Sequence, residues 1–274
     1  MSYYKLLGLD KEPFSTSPDP DFFYNSSSHT TCLKRLEINI RLKRGLNLIF
    51  GDVGTGKTTL CRILAQSFKD DTNVFFHMVL DPSFKSEFQF LSRLLATFKI
   101  DCPFNSSIDY KEAIERFLFK SGVKEGKTIV LIVDEGQKIS LENLELLRTL
   151  LNFETNDSKL LQLVLMAQVE LIPRIKRIRN FVDRAAFKYT INPLDEAETR
   201  QLIEFRLRHA GYNGKRGLFS DGALRMIHDS TQGYPRRIAM VCHDALEGAV
   251  MQQKTLIEER DIEKIIVEHQ AVLL

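Results

Sequence analysis

The chain has 274 residues, of which 43% are hydrophobic and 27% charged, enough apolar material for one large core and a smaller second one. Its 38 basic and 36 acidic residues give a formal charge of +2, which by itself indicates no polyanionic partner. No segment approaches the roughly 18 apolar residues that span a bilayer, and no signal peptide is recognisable. Four scattered cysteines argue against a disulfide framework. We therefore expect a cytoplasmic protein without a membrane span.

The first 28 residues differ in composition from the rest of the chain. Pro13, Pro18 and Pro20 predict extended or turn backbone, so residues 1–28 form a segment of their own. The aromatic residues of this segment include Phe14, Phe22, Phe23 and Tyr24. These side chains must pack against something: they either cover the main core or form a wall of an adenine pocket, close to the nucleotide.

Five short apolar runs are typical of strands, and segments with helical periodicity separate them. The runs are 46–50, 74–80, 128–133, 161–166 and 187–191. Buried strands alternating with amphipathic helices predict an α/β domain, residues 29–192, with a parallel sheet covered on both faces. After Pro193 three or four amphipathic helices follow, which predicts an all-helical domain over 193–274. They include 198–207, 221–230 and 236–252.

The segment GDVGTGKT, residues 51–58, fits the P-loop pattern G-x-x-x-x-G-K-[ST] and lies between the first strand and a helix. The glycines allow a tight loop whose amides face phosphates, and Lys57 reaches the β and γ oxygens. The hydroxyl of Thr58 is predicted to bind Mg²⁺. The expected nucleotide-binding residues are Gly51, Asp52, Val53, Gly54, Thr55, Gly56, Lys57, Thr58 and Thr59. The motif therefore predicts ATP and Mg²⁺ as cofactors.

The run TIVLIVDEGQ places Asp134 and Glu135 at the end of a strand rich in β-branched residues. This is the position of a Walker B motif, where carboxylates face the P-loop. We expect Asp134 to hold Mg²⁺ and Glu135 to polarise the attacking water, because phosphoryl transfer depends on positioning and charge stabilisation.

Three further residues are candidates for catalysis. Gln168 ends the fourth strand, where its amide can hydrogen-bond the water or the γ-phosphate. Arg184 precedes the last strand within a basic stretch, 174–184, and is the best placed arginine for a neighbouring subunit's γ-phosphate. Arg236 follows a Gly-Tyr-Pro turn at a helix start, which is a rigid way to aim a guanidinium at the nucleotide.

Together these motifs resemble the ExeA, or general secretion pathway protein A, group of AAA+ ATPases. The opening YYKLLGLDKEPFSTSPDPDFFYNSSSH and the segments GDVGTGKTTL, VDEGQ, AQVEL and GYPRR occur in that group in the same order, so the similarity runs nearly end to end. The group usually has Ala where Gly136 stands, and Gly-Gln-Pro at positions 167–169. These departures keep the functional side chains.

The resemblance implies a five-stranded sheet in the order 5-1-4-3-2, a helical lid, ATP in the cleft between them, and a homo-oligomeric ring or filament whose neighbours complete each site. It supports the roles given above for Lys57, Thr58, Asp134, Glu135, Gln168, Arg184 and Arg236. Secretion-type members often continue into a membrane span and a peptidoglycan-binding domain, and we expect neither in this sequence. Short members are associated with pilus, exopolysaccharide and sorting systems.

We consider three functions. The first is an ATPase whose nucleotide state drives self-assembly and acts on a secretion, pilus or envelope-assembly partner. The second is an ATP-dependent DNA-binding regulator of transposition, supported by the basic stretch 174–184 and by Arg41, Lys43 and Arg44. The third, a small-molecule kinase, would also use the P-loop but leaves the paired Asp134 and Glu135 unexplained.

Overall fold

The protein is described by a computed structural model that covers residues 3–17, 19–103, 106–214 and 217–271. It divides into two compact units. The α/β unit comprises Ser28–Val53 and Leu60–Ile191. The helical unit comprises the described parts of Met1–Ser27, Gly54–Thr59 and Asn192–Leu274. The first and last described segments of the chain therefore belong to one unit, together with part of the glycine-rich loop. The division into domains 1–28, 29–192 and 193–274 stays a prediction.

One parallel five-stranded sheet forms the centre of the α/β unit, in the order β2-β3-β4-β1-β5, which confirms the expected fold class and order. The strands are β1 Leu46–Phe50, β2 Val74–Val79, β3 Thr128–Val133, β4 Leu161–Ala167 and β5 Ala185–Thr190. The start of β5 was predicted two residues too late. As an edge strand it alternates half-buried and exposed residues, so Ala185 belongs to no continuous apolar run.

Helices cover the sheet, and β3 and β4 are consequently buried along their whole length. The helices are α2 Ser27–Arg41, α3 Lys57–Gln66, α4 Glu87–Phe98, α5 Ser107–Phe119, α6 Leu141–Leu150 and the short α7 Ile172–Ile175. Ser86, Ser106 and Ser140 begin α4, α5 and α6, each accepting a hydrogen bond from the backbone N–H three residues further on. These caps explain where the three helices start.

The helical unit contains the remaining helices. They are α1 Tyr3–Leu6, α8 Glu196–His209, α9 Asp221–Thr231, α10 Pro235–Met251 and α11 Glu259–Ala271. Between α9 and α10, Gly233 adopts a left-handed conformation with φ +70°, and its carbonyl oxygen accepts a 2.9 Å hydrogen bond from the N–H of Leu194. A Cβ at Gly233 would lie 1.9 Å from the Leu194 carbonyl oxygen, so the turn before α10 requires glycine.

The N-terminal segment contains a 3₁₀ turn at Pro20–Phe22, in line with the extended or turn backbone expected from its prolines, and a helical turn at Tyr3–Leu6 that was not predicted. Pro18 lies outside the described residues. Phe14 is only 1% exposed and packs edge-to-face on Phe219, within the core of the helical unit. Phe14, Phe22 and Tyr24 therefore pack in or against this smaller core rather than the main one, while contact of these aromatic side chains with adenine stays a prediction. No helix among the described residues has both the length and the apolar composition that crossing a bilayer demands.

Candidate functional site

The glycine-rich loop starts directly after β1, whose five residues are all buried. The N–H of Gly51 donates a 3.2 Å hydrogen bond to the carbonyl oxygen of Ala167, which continues the pairing of β1 with β4. Gly54 and Gly56 are left-handed, with φ +84° and +93°, and α3 begins at Lys57. Within the loop Thr55 and Lys57 are buried, Asp52, Thr58 and Thr59 are half-buried, and Val53 is exposed. The backbone thus takes the strand–loop–helix form that the motif predicts.

Within the helical unit, Gly54 lies against the first turn of α10. Its carbonyl oxygen accepts a 3.3 Å hydrogen bond from the N–H of Arg236. A Cβ at Gly54 would lie 2.9 Å from the Cβ of Arg236, a distance that side chains essentially never adopt. Glycine is therefore required here both for its positive φ and for the close approach of Arg236.

Asp134 and Glu135 follow the last residue of β3. The N–H of Asp134 donates a 2.9 Å hydrogen bond to the carbonyl oxygen of Val79, and its side chain is buried. Glu135 is half-buried and left-handed, with φ +52° and ψ +36°, and its N–H donates to Oδ1 of Asp134 at 2.9 Å. A left-handed non-glycine residue costs roughly 1–3 kcal/mol and is common at functional sites.

The register of the sheet places three predicted site residues at the carboxyl ends of neighbouring strands. Phe50 pairs with Ala167, and Val133 pairs with Leu165. Since all strands are parallel, the residues that follow β1, β3 and β4 leave the sheet at the same side. Gly51, Asp134 and Gln168 are those residues.

Gln137 was not identified from the sequence, although it lies between two predicted site residues. Its Nε2 donates a 2.7 Å hydrogen bond to Oε2 of Glu135, and its Oε1 accepts a 3.1 Å hydrogen bond from the N–H of Gln168. The sequence does contain a signal for Gln137, because it carries an amide two residues after a carboxylate at the end of a strand.

Gly136 lies close to β4. A Cβ there would lie 2.7 Å from Cδ1 of Leu165, 3.1 Å from the carbonyl oxygen of Met166 and 3.2 Å from the Cβ of Ala167. The loop that carries Glu135 therefore packs directly on the strand that leads to Gln168. An alanine at position 136 would require a displacement of Leu165.

Arg174 was grouped with the other cations of the basic stretch, but it binds within its own unit. Its Nη1 donates a 2.5 Å hydrogen bond to the carbonyl oxygen of Gln137, and its Nη2 donates to that of Ile139. The side chain thus holds the loop that carries Glu135. Lys176, Arg177 and Arg179 are exposed.

Arg184 is exposed immediately before β5 and donates a hydrogen bond to Oδ1 of Asn152. It therefore lies beside the amino end of β1, because Ala185 pairs with Leu46. Five residue steps of about 3.3 Å each, roughly 16 Å in all, separate Leu46 at this end from Gly51 at the other. Within the α/β unit, Arg184 is consequently at the amino ends of the strands and Gly51 at their carboxyl ends.

Comparisons with known proteins agree with this fold. A family model described as an AAA domain matches residues 40–175. The chain is 32% identical over 262 residues to General secretion pathway protein A of Aeromonas hydrophila. The matched region covers 95% of this chain and 47% of that protein. The chain therefore spans about half the length of this curated relative.

Solved structures share the fold at low sequence identity. ORC2 of Aeropyrum pernix superposes with a TM-score of 0.65 and 18% identity, covering 94% of this chain and 72% of that one. Cdc6p of Pyrobaculum aerophilum superposes with a TM-score of 0.68 and 17% identity, covering 91% of this chain and 68% of that one. The Thermotoga maritima RuvB Holliday junction branch migration motor superposes with a TM-score of 0.58 and 16% identity, covering 86% of this chain and 67% of that one. At such identities the similarity shows the fold alone.

Proposed function

The chain belongs to the AAA+ P-loop family and resembles General secretion pathway protein A along nearly its whole length, and from this premise we propose that it binds and hydrolyses Mg-ATP. One observation carries the proposal. The P-loop and the Asp134–Glu135 pair follow strands that end at the same edge of the parallel sheet, with Gln168 after the strand between them. Phosphate-binding and carboxylate groups at this edge are what ATP hydrolysis requires.

The residues present fit ATP and Mg²⁺. Left-handed glycines at positions 54 and 56 leave these two positions of the loop without a Cβ atom, and the amino end of α3 favours anions. Lys57 neutralises phosphate charge. The Thr58 hydroxyl and the buried Asp134 carboxylate are the oxygen ligands that Mg²⁺ prefers. When bound, the metal ion would offset charge that develops on the phosphate oxygens.

Three side chains complete the proposed hydrolytic site. Glu135 polarises the attacking water as a general base, and the amide of Gln168 hydrogen-bonds the water or the γ-phosphate. Arg236, whose backbone is bound to Gly54, contributes a guanidinium from the first turn of α10.

Arg184 serves a neighbouring subunit in this proposal. Its place at the amino end of β5 supports this, because the P-loop of the same α/β unit begins at the opposite edge. The protein would then form a homo-oligomeric ring or filament in which each ATP site is completed by the next subunit. Activity would depend on assembly.

The proposed biological role is action on a secretion, pilus or envelope-assembly partner from the cytoplasm, and the resemblance to General secretion pathway protein A supports it. ATP-dependent DNA binding is the second candidate, since Lys176, Arg177 and Arg179 are exposed. Duplex DNA mixed with the protein, with and without ATP at low and moderate salt, separates the two. Tight, ATP-dependent coating of the DNA would contradict the first role and support the second.

The hydrolytic assignment is tested by Glu135→Gln, with the exposed Glu142→Gln on α6 as the matched control. We expect Glu135→Gln to bind ATP normally but to hydrolyse it roughly 10²- to 10⁴-fold more slowly, because the general base is lost. Phosphate release and binding of a fluorescent ATP analogue measure the two properties. Turnover by Glu135→Gln equal to that of the control would contradict the assignment.

A further inference from the structure

One side chain joins the two loops that carry the proposed base and the proposed sensor amide. The side-chain amide of Gln137 donates to Oε2 of Glu135 at 2.7 Å and accepts from the backbone N–H of Gln168 at 3.1 Å. Both ends of one small group are therefore used. The contact to Gln168 crosses 31 positions of sequence.

The orientation of this amide follows from its partners. A backbone N–H can only donate, so Oε1 of Gln137 must face Gln168. An ionised carboxylate can only accept, so Nε2 must face Glu135. Among side chains of similar size, ionised glutamate lacks the donor and leucine lacks both the donor and the acceptor.

The backbone that carries Gln137 is itself held in place. The guanidinium of Arg174 donates to the carbonyl oxygens of Gln137 and Ile139. The N–H of Lys138 donates a 2.9 Å hydrogen bond to the carbonyl oxygen of Glu135, which closes the turn. The amide of Gln137 is consequently presented from a fixed base.

Glu135 has two features that make such support necessary. Its backbone is left-handed, a conformation that persists only where surrounding contacts hold it. Its side chain, if it acts on water, must keep one carboxylate oxygen directed at that water. A hydrogen bond from Gln137 to Oε2 restricts the rotation of the carboxylate and leaves Oε1 for the water.

We propose that Gln137 is a positioning residue, which orients the carboxylate of Glu135 and joins it to the loop of Gln168 so that base and sensor move as one unit. This inference rests on the proposed ATP hydrolysis and deepens it.

The test compares two variants with a matched control. Gln137→Glu keeps an acceptor for the Gln168 N–H but places a second negative charge beside Glu135. Gln137→Leu removes both hydrogen bonds at similar volume. The control, Gln66→Glu, makes the same charge change at an exposed site on α3. Thermal unfolding, ATP affinity, kcat and KM are measured for each.

We expect both Gln137 variants to keep ATP affinity within about two-fold of wild type and to lose roughly 10- to 100-fold in kcat, because misplaced catalytic groups cost factors of this order. Gln66→Glu keeps the wild-type rate.

Two results would overturn the inference: an unchanged kcat in both variants, or a raised KM at unchanged kcat, which indicates support of folding or binding alone. If one variant fails to fold, the other decides. Failure of the proposed function is recognised separately, because wild-type protein would then release no phosphate or Glu135→Gln would match wild type.

Discussion

The backbone N–H of Arg236 donates a hydrogen bond to the carbonyl oxygen of Gly54, with 3.3 Å between the two atoms. The glycine-rich loop and the first turn of α10 are thereby joined through main-chain atoms. A displacement of the loop on binding phosphate would therefore pass directly to α10 within the helical unit. This gives a physical route by which nucleotide could alter the helices, and it makes Gly54 a sensitive position.

Gly54→Ala is expected to abolish tight ATP binding and to lower the free energy of unfolding by roughly 1–3 kcal/mol, because alanine is strained at φ +84° and its Cβ would contact Arg236. The matched control is Gly126→Ala. Gly126 has φ +68° but open space around a Cβ, so that variant has the strain without the contact. Denaturant unfolding and ATP titration measure both. Normal ATP affinity in folded Gly54→Ala would refute the prediction.

Arg184→Ala is expected to lose roughly 10³-fold or more in kcat in assembled protein, as removal of an arginine finger does. The sharper experiment mixes Arg184→Ala with Glu135→Gln, each inactive alone. If Arg184 acts on a neighbour, mixed assemblies contain sites with an intact base and an intact arginine, and phosphate release reappears. Arg179→Ala, exposed in the same basic stretch, should remain active. A mixture as inactive as its components would show that Arg184 does not act in trans.

Phe14→Ala is expected to lower the free energy of unfolding by roughly 3–5 kcal/mol, because the ring is 1% exposed and its removal leaves a cavity beside Phe219. Leu6→Ala, at a side chain that is 59% exposed, should stay within about 0.5 kcal/mol of wild type. The affinity of folded Phe14→Ala for ATP should be unchanged. Weakened binding without lost stability would instead favour the adenine-wall role.

His77 is expected to make stability depend on pH. Burial is the main reason that its pKa lies below the usual 6.5, although a hydrogen bond to the Thr97 carbonyl oxygen opposes the shift. The unfolded chain therefore takes up the proton first, and stability is lost as the pH falls through 6.5 toward the folded pKa. Between pH 8 and 5.5, His77→Gln should lose less unfolding free energy than wild type, as measured by denaturant titration. Equal losses would contradict the prediction.

The P-loop and the Asp134–Glu135 pair could be found from the sequence because their function depends on residue type at short, fixed spacing. A loop around phosphate needs glycines and a lysine in one short stretch, and a carboxylate at a sheet edge needs an apolar strand directly before it. Strand positions were accurate where a strand is buried on both faces, as in β3. They were less accurate for β5, where alternating exposure hides the start at Ala185.

The side-chain contacts of the site could not be predicted in this way. Gln137 meets the backbone of Gln168, Arg174 meets the carbonyl oxygens of Gln137 and Ile139, and Phe14 enters a core made by residues two hundred positions away. Each contact joins residues that local pattern treats as independent. Arg174 shows the consequence, because by composition it belongs with the exposed cations of its stretch and in the fold it holds a loop.

The amino-acid sequence by itself determined which functional groups are present, namely a phosphate-binding loop and a carboxylate pair. It also determined the alternating strands and helices whose apolar runs form a parallel sheet. The tertiary structure alone decided which groups support one another, namely Gly54 with Arg236 and Gln137 with Glu135 and Gln168. The physical reason is that local structure follows from nearby residues, whereas contacts between distant loops depend on strand register and on the packing of elements that meet only in the folded chain.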